Sequence, residues 1–88
     1  MKATITTTTA TAEQYVGWKG KDFELVGTWD GALIDLQVKT LNTGEWATLA
    51  TYTENTVDQT IDGNSARIYR FKASAVGAST DVDVAIDD

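Results

Sequence analysis

The chain has 88 residues, a formal net charge of −6, and neither Cys nor His. That length accommodates one domain, and the two missing residue types exclude disulfides, the usual zinc sites and nucleophilic sites built on Cys or His. Because an acidic chain repels phosphate groups, we expect no nucleic-acid partner. No apolar run approaches the roughly 20 residues of a membrane span, and the N-terminus lacks a secretory apolar region, so we expect no membrane partner.

The N-terminal segment is rich in Thr and alternates only weakly. Thr makes up 15 of the 88 residues and Pro is absent, which favours strands throughout the chain. Residues 2–11 are therefore predicted to form an extended arm or an edge strand, paired either within the chain or with a neighbour. Residues 13–21 contain two Gly and are typical of a connection, with a helical turn over 12–16 as an alternative. This divides the chain into an N-terminal arm and connection, 1–21, and a β-sandwich domain, 22–88.

The stretch 23–38 has the clearest strand pattern in the chain. Apolar residues occupy alternate positions on each of its halves, which predicts two strands that each bury one face. The pair Asp30-Gly31 between the halves supplies the positive φ angles that a tight turn needs. We therefore predict a hairpin, with Gly31 at positive φ and Trp29 in the core beside the turn.

Turn signals separate four further predicted strands, at 46–53, 57–61, 66–74 and 82–86. The pattern of 46–53 is ambiguous, and the sequence does not decide which of its faces is buried. About seven short strands predict an all-β antiparallel sandwich, immunoglobulin-like or jelly-roll-like, with an extended N-terminal arm. Its predicted core comprises Phe23, Leu25, Trp29, Leu36, Val38, Tyr69, Phe71, Val82 and Val84.

Carboxylates offer the remaining routes to catalysis or metal binding. Asp81 and Asp83 share one strand face, as paired acids of a glycosidase would, and residues 62–65 with Asp87 and Asp88 carry oxygen ligands that suit calcium. We favour a solvated acidic face and an ordinary turn, because the spacing matches no helix–loop–helix calcium site. The sequence therefore predicts no catalytic, metal-binding or cofactor-binding residue, and we do not expect an enzyme.

The chain contains three Trp, which raises the alternative of sugar binding through exposed aromatic rings. Trp29 continues the apolar face of its strand and is assigned to the core. For Trp18 and Trp46 we expect partial burial at one end of the small core, because Trp is rarely fully buried in a domain of this size.

Several short motifs occur along the chain in the same order as in a known protein family. The chain contains the run Phe-x-Leu-x-Gly-Thr-Trp-Asp-Gly-Ala-x-Ile-x-Leu-Gln from Phe23, then Gly44-Glu45-Trp46, then Tyr69-Arg70-Phe71, and a closing strand of alternating Val. Over residues 22–86 this order resembles a family of small all-β virion proteins of tailed bacteriophages. The resemblance implies a structural role, as a capsid decoration protein, a head-fibre base or a tail component.

The sequence therefore leaves two alternative functions, which belong to different classes. The first is a non-enzymatic capsid decoration protein that is assembled in the bacterial cytoplasm, resides in the virion and binds the major capsid protein or other virion proteins, as a monomer, dimer or trimer. The second is a carbohydrate- or receptor-binding module of a tail or secreted protein. Each needs an exposed contact surface.

The hypothesis for the N-terminal arm is that it makes intermolecular contacts in the assembled particle. Residues 1–11 have few apolar side chains, so we expect deletion of residues 2–11 to leave the isolated domain nearly as stable as before. The predicted interface residues are Lys2, Ile5, Thr7, Thr9, Tyr15, Trp18 and Trp46.

Overall fold

The computed structural model describes residues 1–61 and 67–87. In that part of the chain there is no helix long and apolar enough to cross a membrane. These described residues form an all-β sandwich of eight strands, one more than predicted. They are β1 (Lys2–Ile5), β2 (Gln14–Val16), β3 (Lys21–Thr28), β4 (Leu33–Lys39), β5 (Trp46–Tyr52), β6 (Thr56–Ile61), β7 (Arg67–Ala75) and β8 (Asp81–Ile86).

The strands form two four-stranded sheets, in the orders β1-β8-β3-β6 and β2-β7-β4-β5. The first four strands pair antiparallel with the last four in reverse order: β1 with β8, β2 with β7, β3 with β6, and β4 with β5. The pairs β3–β8 and β4–β7 complete the two sheets. The first half of the chain therefore runs antiparallel to the second half, and the chain reverses direction at residues 40–45. Along this two-stranded ribbon, successive strand pairs belong alternately to the two sheets.

The core lies between the inner faces of the two sheets. Eight of the nine predicted core residues are buried, and Trp29 is half-buried against them. The Phe71 ring lies 5.7 Å from the Phe23 ring across the sheets, and Tyr52 meets Phe23 edge-on at 5.8 Å. Sequence reasoning left out a further set of buried apolar residues, namely Ile5, Val16, Ala32, Ile34, Ile61, Ala73 and Ile86.

The predicted hairpin over 23–38 is wrong. Its first half is β3 in the first sheet, and its second half is β4 in the second sheet. Each is a central strand whose two sides are already paired, β3 with β6 and β8, and β4 with β5 and β7. Period-two alternation fixes which face of a strand is buried, but it carries no information about the hydrogen-bonding partner.

The tight turn itself is confirmed. Asp30 and Gly31 have φ angles of 47° and 77°, and the Ala32 amide donates a 2.9 Å hydrogen bond to the Trp29 carbonyl. Two successive positive φ angles define a type I′ turn. Here that turn forms a corner between the two sheets.

The β7–β8 turn holds this corner in place. The Ser79 amide donates to the Asp30 carboxylate at 2.8 Å, and the Thr80 hydroxyl donates to the Trp29 carbonyl at 2.8 Å. A Cβ at Gly77 would overlap the carbonyl and carboxylate oxygens of Asp30. Gly77 is therefore required because the two turns pack in direct contact.

The N-terminal segment is built into both sheets. Residues 2–5 form the edge strand β1 on β8, and residues 14–16 form the edge strand β2 on β7, where connection or helical turn was predicted. Between them, Thr11 exchanges hydrogen bonds with the backbone of Phe71, at 2.8 and 3.0 Å. A three-residue strand is too short to show alternation, which is why β2 was missed.

A β-bulge explains the ambiguous pattern of β5. The register shifts from Leu36 opposite Ala50 to Gln37 opposite Thr48, which leaves Leu49 without a partner on β4. The parity of the strand therefore reverses at the bulge, so that Ala47 and Tyr52 both pack on the core. The predicted turn and calcium candidate at residues 62–65, and Asp88, lie outside the described residues.

Candidate interaction surfaces

The outer face of the first sheet is polar and acidic. Its carboxylates come from alternate positions of β3 and β8, and we call this surface the acidic face. Thr4 donates a 2.8 Å hydrogen bond to Asp83, and Thr60 donates one of 2.8 Å to Asp22. The acidic face comprises Asp22, Glu24, Asp81 and Asp83.

The outer face of the second sheet has the opposite character. It combines aromatic rings with basic side chains, and we call it the cationic face; it comprises Tyr15, Lys39, Trp46, Arg70 and Lys72. Alternation of β4 and β7 explains its composition, because their intervening residues are buried in the core. Asp35 lies on the same face opposite Lys72, so its strands carry three cations and one carboxylate in a chain whose net charge is −6.

Trp46 lies at the centre of a packed cluster on the cationic face. The Arg70 guanidinium stacks 4.1 Å from the centroid of the Trp46 ring, and the Lys39 ammonium lies 6.0 Å from it. Arg70 Nε donates to Gln37 Oε1 at 2.9 Å, and the Gln37 amide contacts the Thr48 hydroxyl at 3.4 Å. The stacked and hydrogen-bonded guanidinium is held in one orientation before any partner binds.

A shallow groove of about 370 Å³ adjoins this cluster at the end of the sheet. Tyr15, Leu41 and Ile68 supply its apolar lining, and 61% of Tyr15 and 80% of Leu41 are exposed. Arg67 donates a 3.0 Å hydrogen bond to the Lys39 carbonyl, and Lys39 forms an ion pair with Glu13 at 3.7 Å. The groove therefore extends the cationic face with exposed apolar surface.

A second groove, of about 540 Å³, lies beside the loop between β2 and β3. Trp18 projects from this loop and is 75% exposed, contrary to the partial burial that was predicted. Polar groups line the groove next to it, including Lys19, Asp22, Thr60 and Asp87. The loop ends in a turn closed by a 3.1 Å hydrogen bond from Gly20 to Gly17, so Trp18 cannot reach the core.

The predicted interface residues separate into three groups. Tyr15 and Trp46 come together on the cationic face, Trp18 lies on its loop, and the polar residues Lys2, Thr7 and Thr9 are exposed along the N-terminal segment. Ile5 was wrongly included, because only 4% of it is exposed and its side chain belongs to the core.

Sequence reasoning missed the basic members of the cationic face, Lys39, Arg70 and Lys72. The available signal was their alternation with buried residues on two strands, but only the pairing of β4 with β7 and β5 places Lys39 and Arg70 beside Trp46, and Lys72 further along the same face. Leu41 was missed because an apolar residue in a loop gives no pattern.

The carboxylates considered for catalysis or metal binding lie on the acidic face and near the C-terminus. Asp81 and Asp83 are exposed, and Asp83 is engaged with Thr4. Residues 1–61 and 67–87 contain no group of three or more acidic side chains arranged to hold a metal ion. Comparison of the chain with protein-family models, with curated proteins and with solved structures found no similar protein.

Proposed function

We propose that this chain is a non-enzymatic structural protein of a tailed-phage virion and, within that class, a capsid decoration protein that binds the outer capsid surface and stabilises it. The order of motifs over residues 22–86 supports the class. The observation that carries the binding role is the cationic face, where aromatic rings and guanidinium or ammonium groups concentrate on one side of an acidic chain.

Of the two predicted sandwich types, immunoglobulin-like and jelly-roll-like, the strand order supports the jelly roll. A ribbon in which strands one to four pair with strands eight to five, split alternately between two sheets, is the arrangement of such folds. Jelly rolls occur in viral capsid proteins and also in lectin domains. The fold therefore fits both candidate functions, and the choice between them depends on the surface.

The chemistry of the cationic face suits a protein partner. Trp, Tyr and Arg are the residues that most often dominate the energy of protein interfaces. The Arg70 guanidinium is fixed by Trp46 and Gln37, so little conformational entropy is lost when it meets a carboxylate. The partner we propose is an acidic patch on the major capsid protein or another virion protein, bound in many copies.

The direct test is to mix the purified chain with undecorated phage particles, pellet them, and image the bound sites by cryo-electron microscopy. Arg70→Glu should weaken binding by about tenfold or more. Lys19→Glu is the matched control, because it makes the same charge change at an exposed position of the loop between β2 and β3, outside the cationic face. The proposal fails if the unmodified chain leaves particles bare, or if the two variants bind equally.

The alternative, a carbohydrate- or receptor-binding module, is favoured by Trp18. Its ring is 75% exposed beside a groove with hydroxyl and carboxylate groups, whereas Arg70 already occupies a face of Trp46. A sugar ligand should change the Trp fluorescence of the unmodified chain and should not change that of Trp18→Ala in the same way. Titration with host cell-wall polysaccharide tests this, and an unchanged signal would remove the alternative.

A further inference from the structure

The two sheets end in four edge strands that differ in how they are protected. β1 and β2 have only four and three residues. β6 has six, but it carries Asp58 at a φ of 57° and a register irregularity against β3. β5 has seven residues, Trp-Ala-Thr-Leu-Ala-Thr-Tyr, with no charged residue and no Pro. Short length, charges, Pro and bulges are the usual protections of an edge; β5 has only the bulge at Leu49, whereas β6 combines a charged residue with its register irregularity.

One side of β5 is occupied and the other is open. β5 pairs with β4 on its inner side, and no other strand among the described residues lies along it. Its open side therefore presents backbone N–H and C=O groups that an added strand would satisfy. Leu49 stands on this strand with 57% of its surface exposed.

The bulge in β5 restricts which strand fits beside it. Residues paired across an antiparallel ladder lie on the same face of the sheet. In β5, Trp46, Thr48 and Thr51 follow the outward positions of β4, whereas Ala47, Ala50 and Tyr52 follow the inward ones. Thr48 and Leu49 are successive and both exposed, so a matching strand needs two successive outward residues at the same point.

We propose that a second copy of this chain supplies that strand, pairing β5 with β5 antiparallel about a two-fold axis between Thr48 and Leu49. Over residues 46–51 this register places every outward residue opposite an outward one and every inward residue opposite an inward one. The opposed pairs are Trp46 with Thr51, Ala47 with Ala50, and Thr48 with Leu49. The two second sheets thereby join into one eight-stranded sheet.

Charge does not oppose a copy of the same chain at this edge. The pairing opposes no two charged residues, although each copy has a net charge of −6. Trp46, with Arg70 stacked on it, comes to lie beside the partner copy's Thr51, whose hydroxyl donates to Asp35 at 2.7 Å. The dimer does not depend on the proposed virion role.

The test is sedimentation equilibrium of the full chain over a range of concentrations. We expect a reversible dimer, and Leu49→Lys should raise its dissociation constant by about tenfold or more. Val57→Lys is the matched control, because Val57 is 52% exposed on the neighbouring edge strand β6. A monomer at all concentrations overturns the inference, as does an equal loss of dimer in both variants.

Single-cysteine variants test the register, since the chain has no Cys of its own. The two Leu49 residues flank the proposed axis, so Leu49→Cys should form an intermolecular disulfide under mild oxidation. Val57→Cys, equally exposed but off the axis, should form one far more slowly. Equal rates for the two variants would exclude the proposed pairing.

Discussion

Residues 1–16 and residues 23–38 look unlike in sequence and yet are used in the same way. Each segment gives its first strand to the first sheet and its second strand to the second sheet. The difference lies in position, because β1 and β2 are edge strands whereas β3 and β4 are central strands. In these two segments, the strength of the apolar–polar alternation therefore indicates whether a strand is paired on one side or on both sides. It says little about whether the segment belongs to the fold.

Burial patterns show why. From Ile34 onward β4 alternates strictly between buried and half-exposed positions, because neighbouring strands flank it on both sides. β1 buries only Ile5 fully, and β2 only Val16. An edge strand covers the core with fewer side chains, so its sequence needs fewer apolar residues and resembles that of a free arm.

The largest effect is expected where the two segments meet, at Phe71. Its ring packs on Phe23 of the central stretch, and its backbone is hydrogen-bonded to Thr11 of the N-terminal segment. Phe71→Ala should cost about 3–5 kcal/mol of unfolding free energy, measured with denaturant. Phe71→Leu, which preserves most of the volume, should cost less than about 1.5 kcal/mol. A loss below about 1 kcal/mol for the Ala variant would contradict the assigned core.

The second largest effect on stability is expected at Ile5, and it distinguishes an edge strand from a free arm. Ile5→Ala should cost about 2–4 kcal/mol, because the side chain is buried between β1 and the core. Thr7→Ala, two residues further on and exposed, should change stability by less than about 0.5 kcal/mol. Deletion of residues 2–11 should then destabilise the isolated chain, which reverses the expectation from sequence. If the two point variants are equally stable, the N-terminal segment is a free arm and β1 does not contribute to the stability of the sandwich.

A smaller effect probes the corner that divides the central stretch between the sheets. Gly31→Val should cost about 1–2 kcal/mol, from backbone strain alone, because φ is 77° and a Cβ there meets no atom within 4 Å. Gly31→Asn should recover most of that loss, since Asn tolerates the left-handed region. If Val and Asn are equally tolerated in thermal unfolding, the turn does not hold this conformation in solution.

The smallest effect tests the contact between the sheets at Tyr52. Burial raises the pKa of Tyr52 above its ordinary value of 10.0, so the folded chain holds this proton more tightly than the unfolded chain. Stability should therefore fall as pH rises through about 10 and beyond, and Tyr52→Phe should reduce that fall. Tyr15→Phe is the control, because Tyr15 is 61% exposed. Identical alkaline unfolding of all three proteins would contradict burial of Tyr52.

For the candidate surfaces, the sequence supplied residue types and the structure supplied their grouping. Tyr15 and Trp46 were both among the predicted interface residues, and they share one face. The cations that accompany them come from β4 and β7, strands that are far apart in the chain. Trp18 was expected to be partly buried, and only its place on a closed turn leaves it exposed.

The sequence by itself determined the all-β class, the inward face of most strands and the tight turn at Asp30-Gly31. These follow from local properties, namely the two-residue period of a strand and the φ angles open to Gly and Asp. Only the tertiary structure decided which strands pair, that the central stretch is split between sheets, and that the N-terminal segment supplies two edges. Strand pairing uses backbone groups that nearly all residues share, so the alternation within one strand does not identify its partner.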